Sequence, residues 1–402
     1  MPGRSTTKLK MLMLSPEAPW PATTGGLVRI RGLLEHLADH CDITFIAPCR
    51  PDQKPPDDAR IRFLCPEVSP SIGLRRALAV LDPTRPLHVA FYTRRVVADL
   101  IEKELATERF DVIYSHFLYH LGYLGGTPVP VVVDTQNVDR VYWQNKADHS
   151  PFPVSLFAAW NTRKTIAYEN RHLRCIWGYV SVSEEDRAQT RAYAAPAVKH
   201  FWVAPNGVDT RRFRPSPPPA ASSVTLGYLG SMDLQMNIEA VQRFATSLLP
   251  QIRQAIPHVD VRFVAIGRAP SPAIEALAAA TPGMSLSGTV DDVVPWLQKL
   301  AILVCPLRIG AGTKLKVAEA MACGLPVVGT SLAFAGLSGD SGTHYLTADN
   351  DADFVAAVCR LATSAELRAQ MGHEARGFAE RHLEWSAIGT CLADEMREAL
   401  GR

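Results

Sequence analysis

The stretch best equipped for chemistry runs Pro306-Leu-Arg-Ile-Gly-Ala-Gly-Thr-Lys-Leu-Lys-Val-Ala-Glu319. Gly310 and Gly312, on either side of Ala311, let a backbone approach a ligand closely. Thr313 and Lys314 stand where a helix should begin, and the free N–H groups and dipole of a helix start favour a phosphate. Arg308, Lys314 and Lys316 add positive charge. Lys316 is two residues beyond Lys314, so on an ideal helix the two point apart. Lys314, helped by Arg308, is therefore expected to carry the phosphate. Glu319 lies on the same helix, where a carboxylate can accept hydrogen bonds from ribose hydroxyls. A glycine turn with solvated lysines would have the same composition.

A second candidate is His116, just past the apolar run Val112–Tyr114. A strand-end imidazole can donate a hydrogen bond, and its backbone carbonyl can face a developing positive charge. His120 is the weaker alternative. Asp134, Asn137 and Asp139 follow another apolar run and are read as cleft residues or as turn residues. Asp349-Asn-Asp351 and Asp351-Ala-Asp353 precede a helical run and read as caps. No metal site is expected. The eight cysteines form no CxxC pair and read as reduced thiols.

Short apolar runs alternate with helical patterns along the whole chain, which predicts parallel sheets with crossover helices. Expected strands are Lys10–Ser15, Ile43–Ala47, Val112–Tyr114, Val129–Val133, Tyr179–Val182, Val224–Leu229, Val261–Ile266, Ile302–Pro306 and one starting at Pro326. Expected helices include Leu27–Ala38, Ile238–Leu249, Ala273–Ala280 and Lys314–Ala322. Pro215–Ser223 is rich in proline and cannot support a core. The expected division is residues 1–209, a linker 210–223, a second domain 224–385 and a final helix 386–402. In open parallel sheets ligands sit at the carboxyl ends of the strands, so two such domains are expected to face a central cleft.

With 402 residues and 47% apolar composition, two domains can each bury a core. A net charge of +2 argues against nucleic acid as partner. No apolar run nears the roughly 20 residues that span a bilayer, and Leu9–Leu14 is too short for a signal peptide. A cytoplasmic protein is expected. Leu74–Leu81, with Arg75 and Arg76, reads as a surface helix that permits peripheral contact with the inner face of a membrane.

The segment Glu319-Ala-Met-Ala-Cys-Gly-Leu-Pro-Val-Val328 resembles the hallmark of glycosyltransferase family 4. Ser15 to Gly26 resembles that family's first strand and Gly-Gly loop, with Gly25 and Gly26 lining the cleft. Pro205-Asn-Gly-Val-Asp209 is similar to its interdomain signature. Leu229-Gly230-Ser231-Met-Asp233 with Asn237 resembles the opening of its second domain. Gly267 and Gly288-Thr-Val290-Asp291 resemble the loops around the nucleotide base, and Trp385 precedes what resembles the final helix. The resemblance implies a GT-B fold of two Rossmann-like domains. It implies a retaining transferase that moves a sugar from a UDP- or GDP-sugar to an acceptor hydroxyl, without cofactor or metal, in polysaccharide or glycoconjugate synthesis. The acceptor could be a glycan, a lipid-linked glycan or a small molecule. His116 resembles the family histidine near the reacting carbon. This sequence departs from the pattern at three positions. Ala311 stands where the family often has a sugar-binding glutamate, and Ser231 and Met236 stand near the places of an arginine and a lysine on the diphosphate. Arg308, Lys314 and Lys316 are the expected replacements. The alternatives are a nucleotide-sugar 2-epimerase, which Ala311 disfavours, and a non-catalytic donor-binding subunit.

Overall fold

Strands that are apolar on both faces must be covered on both sides, and in this chain they pair in parallel. In the computed structural model, which describes residues 8–68, 79–216, 223–310 and 314–402, thirteen strands form two sheets. The first contains β1 (Leu9–Leu14), β2 (Cys41–Ile46), β3 (Ile61–Leu64), β4 (Val112–His116), β5 (Val131–Thr135), β6 (Gly178–Ser181) and β7 (His200–Val203). Its order is β3-β2-β1-β4-β5-β6-β7. The second contains β8 (Ser223–Leu229), β9 (Asp260–Ile266), β10 (Met284–Leu286), β11 (Ile302–Cys305), β12 (Val327–Gly329) and β13 (Leu346–Thr347), in the order β10-β9-β8-β11-β12-β13. Each sheet changes direction once, between β1 and β4 and between β8 and β11. Those two switch points are where loops diverge and a crevice opens.

The chain divides into two compact units, residues 1–205 with 388–402, and residues 206–387. The division falls earlier than the Pro-rich composition predicts. Val208 and Phe213 are buried in the second unit's core. Val208 N donates to Leu383 O at 2.7 Å, and Arg376 donates to the carbonyls of Thr210 and Phe213. Residues 206–216 thus belong to the second unit, and residues 217–222 lie outside the described residues. The helix Trp385–Ala399 begins in the second unit, where Trp385 covers Gly207 so closely that an added Cβ would meet its ring at 2.5 Å. From Ile388 it packs with the first unit, where Arg397 donates to His40 O at 2.8 Å.

The helix Gly25–Leu37 shows how sequence sets an element here. Thr24 caps it, accepting from Leu27 N, and Ile30, Leu33, Leu34 and Leu37 form its buried stripe. Arg29 sits among the buried residues of the same helix and is fully enclosed. The expected helix Ile238–Leu249 is instead Gln235–Arg243, a wide turn Phe244–Leu248, and Leu249–Ala255. Pro250 has no N–H for the preceding turn, which accounts for the change in winding. Of Leu74–Leu81, residues 74–78 lie outside the described residues. Among the described residues no helix is long and apolar enough to cross a membrane. All eight cysteines are free.

Candidate functional site

In the second unit the switch point between β8 and β11 gathers the chemistry. The chain leaves β8 through Gly230 and Ser231, leaves β9 through Gly267 and Arg268, and leaves β11 through Pro306 to Gly310. Gly267 has φ of 157°, and an added Cβ there would sit 1.9 Å from Gly230 O. Two strand-end loops are thereby pressed together, and Arg268 is carried to Ser231, donating from Nε to Oγ at 2.8 Å. Gly310, at φ 129°, packs its Cα side on Met236; an added Cβ would lie 2.7 Å from Met236 Cε and 3.9 Å from Lys314 Cε. Residues Ala311, Gly312 and Thr313 lie outside the described residues.

Lys316, expected to point away from Lys314 on an ideal helix, turns to Tyr228 and Asn237. Its Nζ lies 2.8 Å from Tyr228 Oη and 2.8 Å from Asn237 Oδ1, and 4.1 Å from the centre of the Tyr228 ring. Tyr228 in turn donates to Asn237 Oδ1 at 2.6 Å, and Asn237 Nδ2 donates to Ser231 O at 2.8 Å. Two of the three ammonium donors are taken by neutral partners, so the charge itself is not neutralised there. The helix runs Leu315–Ala322 with Lys314 as its N-cap residue, not in its first turn. Lys314 is buried beside the glycine loop, so both lysines serve the same corner near Met236 and Asn237. The Arg308 guanidinium is 57% exposed and pairs with Asp351, which Arg243 also holds. Asp351 is therefore an ion-pair partner, while Asn350 caps the following helix. Val290 is half-buried against the core, and Gly288 has φ of 64° in open space.

Burial is the main cause of the titration shifts at Lys314, Lys316 and Glu319. It lowers the ammonium of Lys314 to about 8 and that of Lys316 to about 8, the latter also through repulsion by Lys314. It raises Glu319 to about 7, against the pull of Arg212 and Lys316. Arg212, itself paired with Asp292 at 2.9 Å, is a cation near Glu319 that the sequence did not suggest. Arg268, at Ser231, is a further cation that the sequence reading did not use, although its place directly after a strand-end glycine was a usable signal. Glu319 must be ionised to accept strongly from a ribose, and the lysines must be protonated to attract a diphosphate. Affinity for a nucleoside diphosphate is thus expected to rise with pH as Glu319 ionises near 7, then fall as the lysines deprotonate above about 8. The bare nucleoside should show only the rising limb. Calorimetric titrations across pH 6–9 check this; a flat profile for both ligands would contradict it.

In the first unit, β4 ends on His116 and β5 carries Asp134 beside it. Both are fully buried. His116 Nδ1 donates to Asp134 Oδ2 at 2.9 Å, and Arg29 holds the same carboxylate through Nε at 3.0 Å and Nη2 at 2.6 Å. Arg29 Nη1 also donates to the carbonyls of Ala204 and Pro205. Burial would raise the Asp134 carboxyl, but Arg29 and His116 outweigh it and hold it below the usual carboxylate range. Asp134 is thus an internal counter-ion and not a cleft residue. His116 Nε2 is buried and has no hydrogen-bond partner among the described residues. His120 is also buried, and burial together with His116 lowers it to about 4. Asn137 is exposed, and Asp139 is half-buried, raised to about 7 by burial, with Oδ2 3.7 Å from His88 Nε2. Gly25 and Gly26 open the Gly25–Leu37 helix, and Gly26 lines a cavity with Glu17, Phe117 and Tyr119. Among the described residues no group of three or more His, Cys, Asp or Glu could hold a metal ion.

Residues 23–212 match the family model for Glycosyltransferase Family 4, and residues 223–364 match that for Glycosyl transferases group 1. No curated protein matches the chain in sequence. The fold is similar to sucrose-phosphate synthase from Thermosynechococcus elongatus, with TM-score 0.71 and 15% identity over 98% of this chain and 100% of that one. It is similar to an alpha,alpha-trehalose-phosphate synthase (UDP-forming) from Burkholderia vietnamiensis, with TM-score 0.65 and 13% identity over 97% and 100%. It is also similar to Anabaena HepE in complex with UDP-glucose, with TM-score 0.63 and 14% identity over 97% and 100%.

Proposed function

The chain belongs to the family 4, group 1 glycosyltransferases of GT-B fold, and on that premise we propose that it transfers a sugar from a UDP- or GDP-sugar to an acceptor hydroxyl with retention of configuration. The observation that carries this reading is the regrouping of charge in the second unit. The family's usual cations are absent at Ser231 and Met236, yet Arg268 bonds Ser231, and Lys314 and Lys316 converge on the Met236–Asn237 corner. Different elements bring positive charge to the same sheet, Arg268 sharing its charge with Asp233 at 3.6 Å, and this supports a diphosphate ligand. Glu319, on the helix that carries Lys316, suits the ribose. Gly230, Gly267 and Val290 shape the loops in which the base would lie.

During transfer the bond from the anomeric carbon to the diphosphate breaks, and negative charge develops on the leaving oxygen. Arg268, Lys314 and Lys316 stabilise that charge. The acceptor hydroxyl attacks from the same face, and its proton passes to the departing diphosphate, so no enzymic carboxylate is needed as nucleophile. In this reading His116 acts on the transferred sugar. Asp134, locked by Arg29, fixes the proton on Nδ1 and leaves Nε2 without a hydrogen-bond partner among the described residues. The His116→Ala variant is expected to lose roughly a hundredfold in turnover while nucleotide affinity stays near wild type. Turnover at the wild-type rate would reduce His116 to a structural residue.

A further inference from the structure

At the β3 edge of the first sheet, away from β4 and His116, two cysteines meet. β2 and β3 pair in parallel as far as Ile46 and Leu64, and the ladder runs on past both strands. Ala47 N donates to Leu64 O at 3.4 Å, Cys49 N to Pro66 O at 3.0 Å, and Val68 N to Cys49 O at 2.8 Å. Those bonds set Ala47 opposite Cys65 and Cys49 opposite Glu67. Residues two apart share a face of a strand, so Cys49 and Cys65 are diagonal neighbours on one face. Their side chains touch: the Cys65 thiol donates to Cys49 Sγ, which itself lies 3.9 Å from Ala47 O.

The chain around the pair supports the turn that leads from β1 to the Gly25–Leu37 helix. Ala18 N donates to Pro48 O at 3.3 Å, and Gln53 Nε2 donates to Trp20 O at 2.8 Å. The Trp20 ring lies 5.9 Å from that of Phe45 and 5.5 Å from that of Phe63. By the same alternation Phe45 and Phe63 share the face of the two cysteines. The sulfurs therefore sit in line with the ring cluster on which the turn rests.

Cys49 is 2% exposed and Cys65 is half-buried, so a small reagent reaches the pair from the Cys65 side. The hydrogen bond from Cys65 holds the Cys49 thiol below its ordinary range, against burial and the Glu67 carboxylate. The same bond and burial raise Cys65. Thiolate is the nucleophilic form of cysteine, and Cys49 supplies it. Cys391, the exposed thiol of the eight, is pushed the other way by burial, Glu395 and Asp394.

We propose that Cys49 and Cys65 are a redox-modification site, which a hydroperoxide converts to a disulfide and a dithiol restores. With hydrogen peroxide the O–O bond breaks and one S–S bond forms. The pair gives up two electrons, and both thiol protons leave in two molecules of water. Both cysteines stand beyond the ends of β2 and β3, so drawing the sulfurs together leaves the pairing of those strands in place. The new bond fastens the two strand ends beneath the Trp20 turn. The inference is independent of the reading as a glycosyltransferase.

The test is peptide mapping of the full chain. Reduced protein is treated with hydrogen peroxide, blocked with N-ethylmaleimide in denaturant, digested with trypsin and read by mass spectrometry. Residues 32–60, which carry Cys41 and Cys49, should appear joined to residues 63–75, which carry Cys65. The joined species should be two hydrogens lighter than the sum of its parts, and dithiothreitol should separate it. Cys49→Ser and Cys65→Ser should each abolish it, and Cys41→Ala should leave it intact. A wild-type map with N-ethylmaleimide on both Cys49 and Cys65 after peroxide would overturn the proposal, and that result needs no variant to fold. So would a joined species that survives Cys49→Ser, or conversion of Cys65 to the sulfinic acid with no joined species.

Discussion

Arg29→Ala is expected to destabilise the first unit by about 3–5 kcal/mol. Arg29 is fully buried, and its guanidinium is the main counter-charge to a fully buried Asp134. Removing it leaves a carboxylate away from water with only His116 beside it, and it also orphans the carbonyls of Ala204 and Pro205. The same stretch of chain carries the strand ends that hold His116 and Phe117, so activity should fall with the fold. Removing both charges together in Arg29→Met with Asp134→Leu should be milder than Arg29→Ala alone, because no unpaired charge remains. Denaturant unfolding, followed by a probe in the first unit, reads both. A loss below about 1 kcal/mol for Arg29→Ala would show that water reaches Asp134 and that the pair is not structural.

The second large effect is expected at Lys316 and has opposite signs on stability and binding. Its ammonium is drawn from water; among the described residues its hydrogen bonds go to the neutral Tyr228 hydroxyl and Asn237 amide oxygen, with Glu319 in electrostatic reach. Nothing in that network requires a charge, since Tyr228 still donates to Asn237 without it. Lys316→Met keeps the stem's packing and removes the desolvated charge. The variant should therefore be at least as stable as wild type. Its affinity for a nucleoside diphosphate should drop by about 1.5–3 kcal/mol, tenfold or more, with little change for the bare nucleoside. Thermal unfolding and calorimetry on the same preparation check both halves. A destabilised variant with unchanged diphosphate affinity would make Lys316 a structural residue.

What could be read from the sequence follows from burial. Central strands such as β1, β4, β8 and β11 are covered on both faces and appear as continuous apolar runs. The strands that went unread, β3, β7, β10 and β13, are the edges of the two sheets. They are short and partly exposed, and β3 even carries Arg62, so no apolar period marks them. The expected linker was drawn from the prolines that dominate the composition from Pro215, while the burial of Val208 and Phe213 is set by the second core.

The glycine loop and Glu319 stand out in the sequence because they lie within one short segment, of which residues 311–313 lie outside the described residues. Arg268 and Arg212 do not, since each reaches the site from a different loop. The inward turn of Lys316 was hidden because its partners, Tyr228 and Asn237, come from another strand and helix. Arg29 offered a sign that went unused: a charged residue set among Leu27, Ile30, Leu33 and Leu34 implies a buried counter-ion, here Asp134.

The central claim is that the second unit holds a nucleoside diphosphate through Arg268, Lys314, Lys316 and Glu319. Calorimetric titration of the full chain at pH 7.5 with UDP, GDP, uridine and guanosine tests it directly. One diphosphate should bind at least tenfold more tightly than its own nucleoside, with the difference shrinking as salt rises. Equal binding of diphosphate and nucleoside, or no binding of any of the four, would contradict the account.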